Sequence, residues 1–221
     1  MIGYSEIIFF LFGLFFIVQT SNIKILSKRS YNKNKFGKLL EDKNVNFIGN
    51  KILKANNIYD SNISFYVLIS DSINAFATDS NKIYLTKGIL ELLSNREKMV
   101  AAVLAHEIAH ITKEHIKKHQ KFIFKIGILS WLVPKGIFGQ CINYIFKGAA
   151  ANYSKENEFE ADSLGITYLY NAGYNPLNLY ITLKTIYNNS IDFKSPIDEF
   201  LASHPISTER LKVAKSIASN F

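Results

Sequence analysis

The feature that most constrains this chain is the pentapeptide His106-Glu107-Ile108-Ala109-His110, which forms an HExxH motif. It follows an apolar run from Met99 to Ala105 whose strong helix formers predict that the motif lies on a helix. Residues four apart share one face of a helix, so both imidazoles can reach the same metal ion. Glu107 stands beside the first histidine, where its carboxylate can take a proton from a water molecule that zinc activates. The motif therefore predicts a zinc site, and a buried helix carrying these residues by accident is the disfavoured alternative.

The start of the motif helix is predicted at Ser94-Asn95-Arg96-Glu97, which has the pattern of a capping box. In that arrangement the Ser94 hydroxyl and the Glu97 carboxylate accept hydrogen bonds from free backbone N–H groups of the first turn. We therefore expect Ser94 to be the residue that caps the helix.

A catalytic zinc site needs a third protein ligand and an open position. The common pattern HExxHxxGxxH is excluded, because Lys113 and Ile116 stand where its glycine and third histidine would be. The segment from Ser154 to Asp162 is the best alternative source, since it carries four carboxylates and leads into a second predicted helix.

Helical periodicity separates the carboxylates of this segment into two groups. Glu158 lies on a face of mostly small residues, which would let another helix approach closely, and it is the predicted third ligand. Asp162, one turn further along the same face, is predicted to orient a ligating histidine. Glu156 and Glu160 lie on a polar side, and we interpret them as ordinary surface charge.

Two further stretches complete a pattern that resembles a known family. The motif and the downstream sequence ENEFEAD, which ends at Asp162, resemble the HtpX-like and CAAX prenyl endopeptidase family of zinc metallopeptidases, which are gluzincins of the ExxAD type. Asn74–Ala77 followed by Lys82–Leu90 is similar to its substrate-strand segment, and Ser203–Pro205 with Arg210 is similar to its "HP…R" motif. The resemblance covers about residues 44–215.

The resemblance implies the fold and the cofactor. The expected fold class is α+β, a mostly helical zincin (gluzincin) domain with a small antiparallel sheet. One Zn²⁺ per chain is expected, held by His106, His110 and Glu158, with Glu107 as the general base. Arg210 would pair with Asp162 or with the neighbours of Glu158 as a structural salt bridge.

The resemblance also implies roles for His204 and for a substrate strand. His204 would face the zinc ion, either donating to the transition-state oxyanion or occupying the open metal position in a latent form. A surface turn histidine is the alternative. The substrate-binding residues would be Asn74, Ala75, Phe76 and Ala77, which pair with the peptide backbone as an edge strand. From the residues alone, an ordinary hairpin edge is an equally favoured interpretation.

Hydrophobic spacing predicts the elements that precede the motif helix. Residues 39–58 have the pattern of an amphipathic helix. Residues 63–71, 72–78 and 82–86 are rich in β-formers and predict three short antiparallel strands around a polar turn.

The N-terminal region predicts export or anchoring. With 221 residues the chain is long enough for one globular domain, and its single cysteine, Cys141, excludes an internal disulfide. The apolar run Ile7–Val18 is shorter than the roughly 20 residues of a spanning helix and suits a signal-peptide core. We therefore divide the chain into a signal peptide or membrane anchor at 1–21, a basic linker at 22–43 and a metallopeptidase domain at 44–221. The predicted location is the cell envelope, either exported to the periplasm or anchored by this segment, although the basic residues that follow favour a cytoplasmic side.

The net charge of +8 is compatible with an anionic partner. We find no basic-aromatic stripe or nucleic-acid module, so nucleic acid is not an expected partner. The favoured explanation of the positive charge is the overall composition of the chain, and binding to an anionic membrane surface is the second choice. The expected partners are polypeptide substrates.

Two stretches between the predicted ligands are ambiguous. Residues 122–151 contain two apolar segments that are each too short to span a bilayer, and they form either an interfacial hairpin that gates the cleft or part of the buried domain. His115 and His119 lie among lysines, and we interpret them as a solvated basic helix end.

The predicted function is zinc-dependent hydrolysis of peptide bonds, in misfolded or membrane-associated envelope proteins. The alternatives are a zinc-stabilised chaperone or binding module with latent or lost activity, and a membrane scaffold whose motif is incidental.

Overall fold

The computed structural model describes residues 39–59, 62–131, 137–190 and 197–221. Within them helices predominate over one small sheet, which confirms the α+β class. The strands are β1 (Leu39–Leu40), β2 (Ser64–Leu68), β3 (Ala75–Ala77) and β4 (Lys82–Thr86). The helices are α1 (Lys43–Ala55), α2 (Lys87–Leu92), α3 (Glu97–Thr112), α4 (His115–Trp131), α5 (Ile137–Asn171), α6 (Leu177–Ser190), α7 (Asp198–Ser203) and α8 (Thr208–Ala218).

The described fold begins at Leu39, so the predicted signal peptide or anchor and most of the predicted linker lie outside the described residues. β1 pairs with β2, and the Asp42 side chain then caps α1 by accepting the backbone N–H groups of Asn44 and Val45. α1 corresponds to the amphipathic helix predicted for residues 39–58, with a later start, and it buries its apolar face against the domain.

The sheet has the strand order β1-β2-β4-β3. β1 and β3 run antiparallel to their neighbours, whereas β2 and β4 are parallel, with Phe65 opposite Ile83. The sheet is therefore mixed rather than wholly antiparallel as expected. The reason is that β3 and β4 form a hairpin that joins the sheet through β4, and this leaves β3 at the edge.

α3 carries the motif through the middle of the domain. Every residue from Met99 to Ile111 is buried, so this part of the helix has no solvated face. α5 packs along it, and Gly165 allows the close approach, because a Cβ atom there would lie 3.3 Å from the backbone nitrogen of His106. The small residues on the Glu158 face of α5 thus allow another helix to approach closely, as predicted.

The predicted capping box is wrong. α3 begins at Glu97 after Arg96, whose side chain makes no capping hydrogen bond. Ser94 and Asn95 adopt left-handed backbone conformations, with φ of 52° and 50°, and their N–H groups donate to the carbonyls of Glu91 and Leu90. The segment therefore closes the end of α2 and is not available to begin α3.

No helix among the described residues combines the length and the apolar character that crossing a bilayer requires. The ambiguous stretch 122–151 contributes the end of α4 and the beginning of α5. Residues 132–136 and the side chains of 126–153 lie outside the described part, and with them the choice between an interfacial hairpin and burial.

Candidate metal centre

The two histidines of the motif point into the same small volume. His106 and His110 are one turn apart on α3, and their Nε2 atoms lie 3.0 Å from each other. Both side chains are buried, and their rings meet edge to face at a centroid distance of 4.6 Å. Helical geometry therefore brings two imidazole nitrogens together at one point in the interior.

α5 adds the predicted carboxylate. Glu158 is buried, with Oε2 at 3.4 Å from Nε2 of His106 and Oε1 at 3.2 Å from Nε2 of His110. The structure thus brings together the three side chains that the sequence selected as ligands, although Glu158 is distant from the motif in the chain.

His204 joins the same group from the loop after α7. Its Nδ1 lies 3.3 Å from Nε2 of His106 and 3.2 Å from both oxygens of Glu158. Its side chain is buried, and its backbone N–H donates to the carbonyl of Phe200 at 2.7 Å. A surface turn histidine is therefore excluded. One donor atom from each of these four residues can be chosen so that all lie within 4.8 Å of one another.

Glu107 is next to this cluster and is itself almost inaccessible. Its side chain is 1% exposed, and neither carboxylate oxygen has a hydrogen-bond partner among the described residues. The imidazole of His204 is near, with Nε2 at 3.4 Å from Oε1. A buried carboxylate without a donor is costly, and it fits a site in which a further polar group is bound. Imidazole nitrogens and a carboxylate are also the donors that zinc takes, so the residues fit a zinc ion.

Asp162 and Arg210 support this cluster from α5 and α8. Arg210 donates to both oxygens of Asp162, at 2.6 and 2.8 Å, and its Nη1 lies 2.6 Å from Oε2 of Glu158. Asp162 Oδ1 in turn lies 2.9 Å from Nδ1 of His106, within hydrogen-bond distance although not aligned for an ideal bond. All of these side chains are buried, so the ionic pairs are shielded from water.

The two ligating histidines have pKa values shifted in opposite directions. Burial lowers the pKa of His106, but the neighbouring carboxylates of Asp162 and Glu158 outweigh burial and raise it to about 9. For His110 burial prevails and lowers the pKa to about 4. The environment therefore distinguishes two residues that the motif presents as equivalent.

The two buried carboxylates of α5, Glu158 and Asp162, have lowered pKa values in spite of their burial. Burial acts to raise the pKa of Glu158, yet the charges of His204 and Arg210 hold it well below its usual value. Burial likewise acts to raise the pKa of Asp162, and the Arg210 guanidinium reverses that effect and lowers it. The centre thus keeps two anionic carboxylates, which the Arg210 guanidinium and His106 contact.

The interpretation of His115 as part of a solvated helix end is wrong. The residue is buried, its Nδ1 lies 3.1 Å from Nδ1 of His110, and its Nε2 lies 3.1 Å from Oε2 of Glu160. Burial lowers the pKa of His115, which favours the neutral ring. Glu160 is exposed as expected, but it makes specific contacts to His115 and to Lys113, at 2.6 Å. The surrounding lysines made the segment look solvent-exposed in the sequence. The only sequence signal that His115 belongs to the site is its position soon after the motif.

The segment from Asn74 to Ala77 forms the edge of the sheet beside α3. β3 pairs only with β4 among the described strands, so no described strand pairs with its other side. Ala75 is buried, Phe76 stacks on Tyr84 at 5.2 Å, and the backbone of Asn74 is bonded to Thr86. The Asn74 side-chain oxygen is buried and has no hydrogen-bond partner within the described part of the chain. Within the described sheet β3 is thus an edge strand.

The amino-acid sequence of this chain is similar to those of known proteins. The model of peptidase family M48 matches residues 39–218. The beta-barrel assembly-enhancing protease of Yersinia pestis is 27% identical over 191 residues, which cover 79% of this chain and 38% of that protein. Metalloprotease YcaL of Escherichia coli is 27% identical over 169 residues, covering 72% and 65%, and mitochondrial metalloendopeptidase OMA1 of Schizosaccharomyces pombe is 24% identical over 168 residues, covering 73% and 48%.

The chain spans 38% of the length of the beta-barrel assembly-enhancing proteases that it matches. The family match begins at Leu39, where the described fold begins, and includes the motif, Glu158 and His204. It confirms the broader part of the resemblance noted above, which is that to a family of zinc metallopeptidases. The chain belongs to peptidase family M48.

Proposed function

We propose that this protein is a zinc-dependent metalloendopeptidase that hydrolyses peptide bonds in polypeptide substrates. Membership of a peptidase family supports the class of reaction. The observation that carries the proposal is the convergence of two imidazoles and a carboxylate beside Glu107, a buried acid without a hydrogen-bond donor among the described residues. A metal ion and a general base in this relation can activate a water molecule for attack on a carbonyl.

In the proposed centre His106, His110 and Glu158 hold one zinc ion per chain. When bound, zinc supplies a Lewis acid that polarises the substrate carbonyl and lowers the pKa of water at the site. Glu107 takes the proton from the attacking water and transfers it to the amide nitrogen that leaves. Its burial excludes bulk water from this transfer. Asp162 and Arg210 hold His106 and Glu158 in position.

For His204 the two roles expected from the family resemblance make opposite predictions. Its Nδ1 lies among the ligand atoms, which supports occupation of the fourth metal position and hence a latent form. Its Nε2 lies close to Glu107, which supports donation to the oxyanion after a movement of the ring. His204→Ala would raise the turnover of a small peptide if the histidine blocks the metal, and would lower it if the histidine assists.

We propose that the substrate backbone pairs with β3, where Asn74, Ala75, Phe76 and Ala77 would bind it. The support is the place of the strand at the edge of the described sheet, its position against α3, and the buried side-chain oxygen of Asn74. A peptide added at this edge forms main-chain hydrogen bonds without regard to most of its side chains. Such recognition suits a protease that acts on unfolded segments.

The proposed substrates are misfolded or membrane-associated proteins of the cell envelope, and the proposed location is the envelope. The support is similarity to proteins named as beta-barrel assembly-enhancing proteases, and the apolar segment near the N terminus. An anionic membrane surface as a partner, suggested by the positive net charge, is part of this proposal. The narrower likeness to HtpX-like and CAAX prenyl endopeptidases stays a prediction.

A binding module with latent activity is the second candidate function. The four buried donors around one point favour it, because sites with four protein ligands are more often structural than catalytic. This alternative predicts stoichiometric zinc and binding of unfolded protein without turnover.

The deciding experiment compares the parent with Glu107→Gln by metal analysis and by cleavage of casein. A metalloendopeptidase is expected to hold about one zinc ion in both proteins and to lose casein cleavage in the variant. Equal cleavage by both proteins would contradict the mechanism. Zinc in both without cleavage in either would favour the binding module, and an absence of zinc from the parent would contradict both candidates.

A further inference from the structure

We propose that His115 and Glu160 are positioning residues for metal binding by His110, holding its ring in the tautomer and orientation that a zinc ligand needs. The inference rests on the proposed zinc site but concerns residues outside its ligand set. Its direct readout is the affinity for zinc and the spectrum of the bound metal, which do not depend on turnover.

The backbone between α3 and α4 brings His115 to His110. α3 ends at Thr112, and Glu114 has a φ of 53°, a left-handed conformation that interrupts the helix. α4 then begins at His115, whose ring lies beside that of His110 at a centroid distance of 5.0 Å and an interplanar angle of 76°. Without this interruption a residue five positions after His110 would lie on another face of a continuous helix.

The contacts determine which nitrogen of each ring carries a proton. Nε2 of His110 faces His106 and Glu158, and as a metal ligand it must present a lone pair. The proton of a neutral His110 is then on Nδ1, which donates to Nδ1 of His115 at 3.1 Å. His115 therefore carries its own proton on Nε2 and donates to Oε2 of Glu160, also at 3.1 Å. Every hydrogen-bonding atom of the two rings has one consistent role.

The charge at the outer end of this chain acts in the same direction. Glu160 is an anion whose other oxygen accepts from Lys113, so Oε2 is directed to His115. A carboxylate that accepts from Nε2 makes the imidazole a stronger acceptor at Nδ1, and this in turn strengthens His110 as an electron donor to a metal. His115 thus does for His110 what Asp162 does for His106.

The test removes the acceptor without removing the ring. His115→Phe keeps an aromatic side chain in the buried position but cannot accept the Nδ1 proton of His110. We expect the zinc affinity, measured by competition with a chromophoric chelator, to fall about 10- to 100-fold. The visible absorption of the cobalt-substituted protein is expected to change as the His110 ring loses its orientation. His115→Gln, whose amide oxygen can accept, is expected to restore part of the affinity.

His119→Phe is the matched control, because it makes the same exchange one turn further along α4. A second pair tests the outer end on the surface, where folding is not at risk. Glu160→Ala is expected to lower zinc affinity by a smaller factor than His115→Phe, while Glu156→Ala, also exposed and one turn earlier on α5, is expected to leave it unchanged.

The inference is overturned if His115→Phe and Glu160→Ala both bind zinc and cobalt as the parent does. A parent that binds no zinc overturns it together with the proposed function. A parent that binds zinc with an affinity dependent on His115, but cleaves nothing, would leave this inference standing and overturn only the peptidase assignment. Circular dichroism of each variant identifies a folding defect, and if His115→Phe is unfolded the Glu160→Ala result decides.

Discussion

The two histidines of α3 are held from behind by supports of opposite kind. Behind His106 lie Asp162 and Arg210, two fixed charges whose side chains are 1% and 2% exposed. Behind His110 lies the neutral ring of His115 and then Glu160, whose side chain is 46% exposed. Within one motif, His106 is therefore supported by buried charges, whereas His110 is supported by a neutral ring and a carboxylate at the surface.

This difference separates the residues that stabilise the domain from those that adjust how His110 binds the metal ion. Two opposite charges that are buried together depend on each other, because the loss of one leaves the other buried with neither a partner nor water to stabilise it. An exposed charge is screened by water and salt, so its loss affects the fold little. We therefore expect changes on the His106 side to alter the stability of the domain and changes on the His110 side to alter mainly the metal ligand.

The largest effect is expected from Arg210→Ala. The substitution leaves Asp162 and Glu158 as buried carboxylates without their cation, and removal of one partner from such a group costs about 3–5 kcal/mol. The free energy of unfolding in urea, measured with a chelator present, gives the loss directly. Lys212→Ala, an exposed cation on the same helix, is the control. A similar small loss in both variants would remove the distinction between the two supports.

Zinc binding is expected to release about one proton near neutral pH, and that proton comes from the His106 side. In the absence of metal His106 has a pKa of about 9 and is protonated at pH 7, whereas His110, with a pKa of about 4, is already neutral. A ligand nitrogen must be unprotonated, so zinc affinity rises with pH, about tenfold per unit between roughly pH 6 and 8, and levels off above the pKa of His106.

Titration calorimetry in two buffers of different ionisation enthalpy measures this proton. Asp162→Asn removes a carboxylate that raises the pKa of His106, so the number of protons released at pH 7 is expected to fall. Glu160→Gln, on the other side, is expected to leave it near one. If the two variants released the same number of protons, or if the parent released none, the assignment of opposite pKa shifts to His106 and His110 would be contradicted.

The parts of this centre that could be predicted are those encoded by local pattern. The spacing within the motif fixes the relation of His106 to His110 on any helix. The small residues near Glu158 indicated the face that approaches α3, and the close contact at Gly165 shows why they are small. In both cases a single helix periodicity was sufficient.

The parts that were missed depend on left-handed residues and on strand order, neither of which has a clear signal in this sequence. His115 reaches His110 because Glu114 adopts a left-handed backbone conformation. A glycine or an asparagine at this position would have predicted that conformation, whereas a glutamate does not. Ser94 similarly closes α2 through a left-handed turn, although its sequence suits the start of α3. The parallel pairing of β2 with β4 depends on strand order, which short strands do not specify.

The smallest effect is expected from Lys113→Ala at the outer end of the His110 side. Its pair with Glu160 is short, at 2.6 Å, but the side chains are 40% and 46% exposed, and such pairs contribute less than about 1 kcal/mol. Urea unfolding should therefore give a loss close to that of Lys117→Ala, which breaks the exposed pair with Glu114. Because Glu160 keeps its contact with His115, zinc affinity should change less than in Glu160→Ala. A loss of stability as large as that of Arg210→Ala would mean that the His110 side is also held by charge, and that its exposure does not make it adjustable.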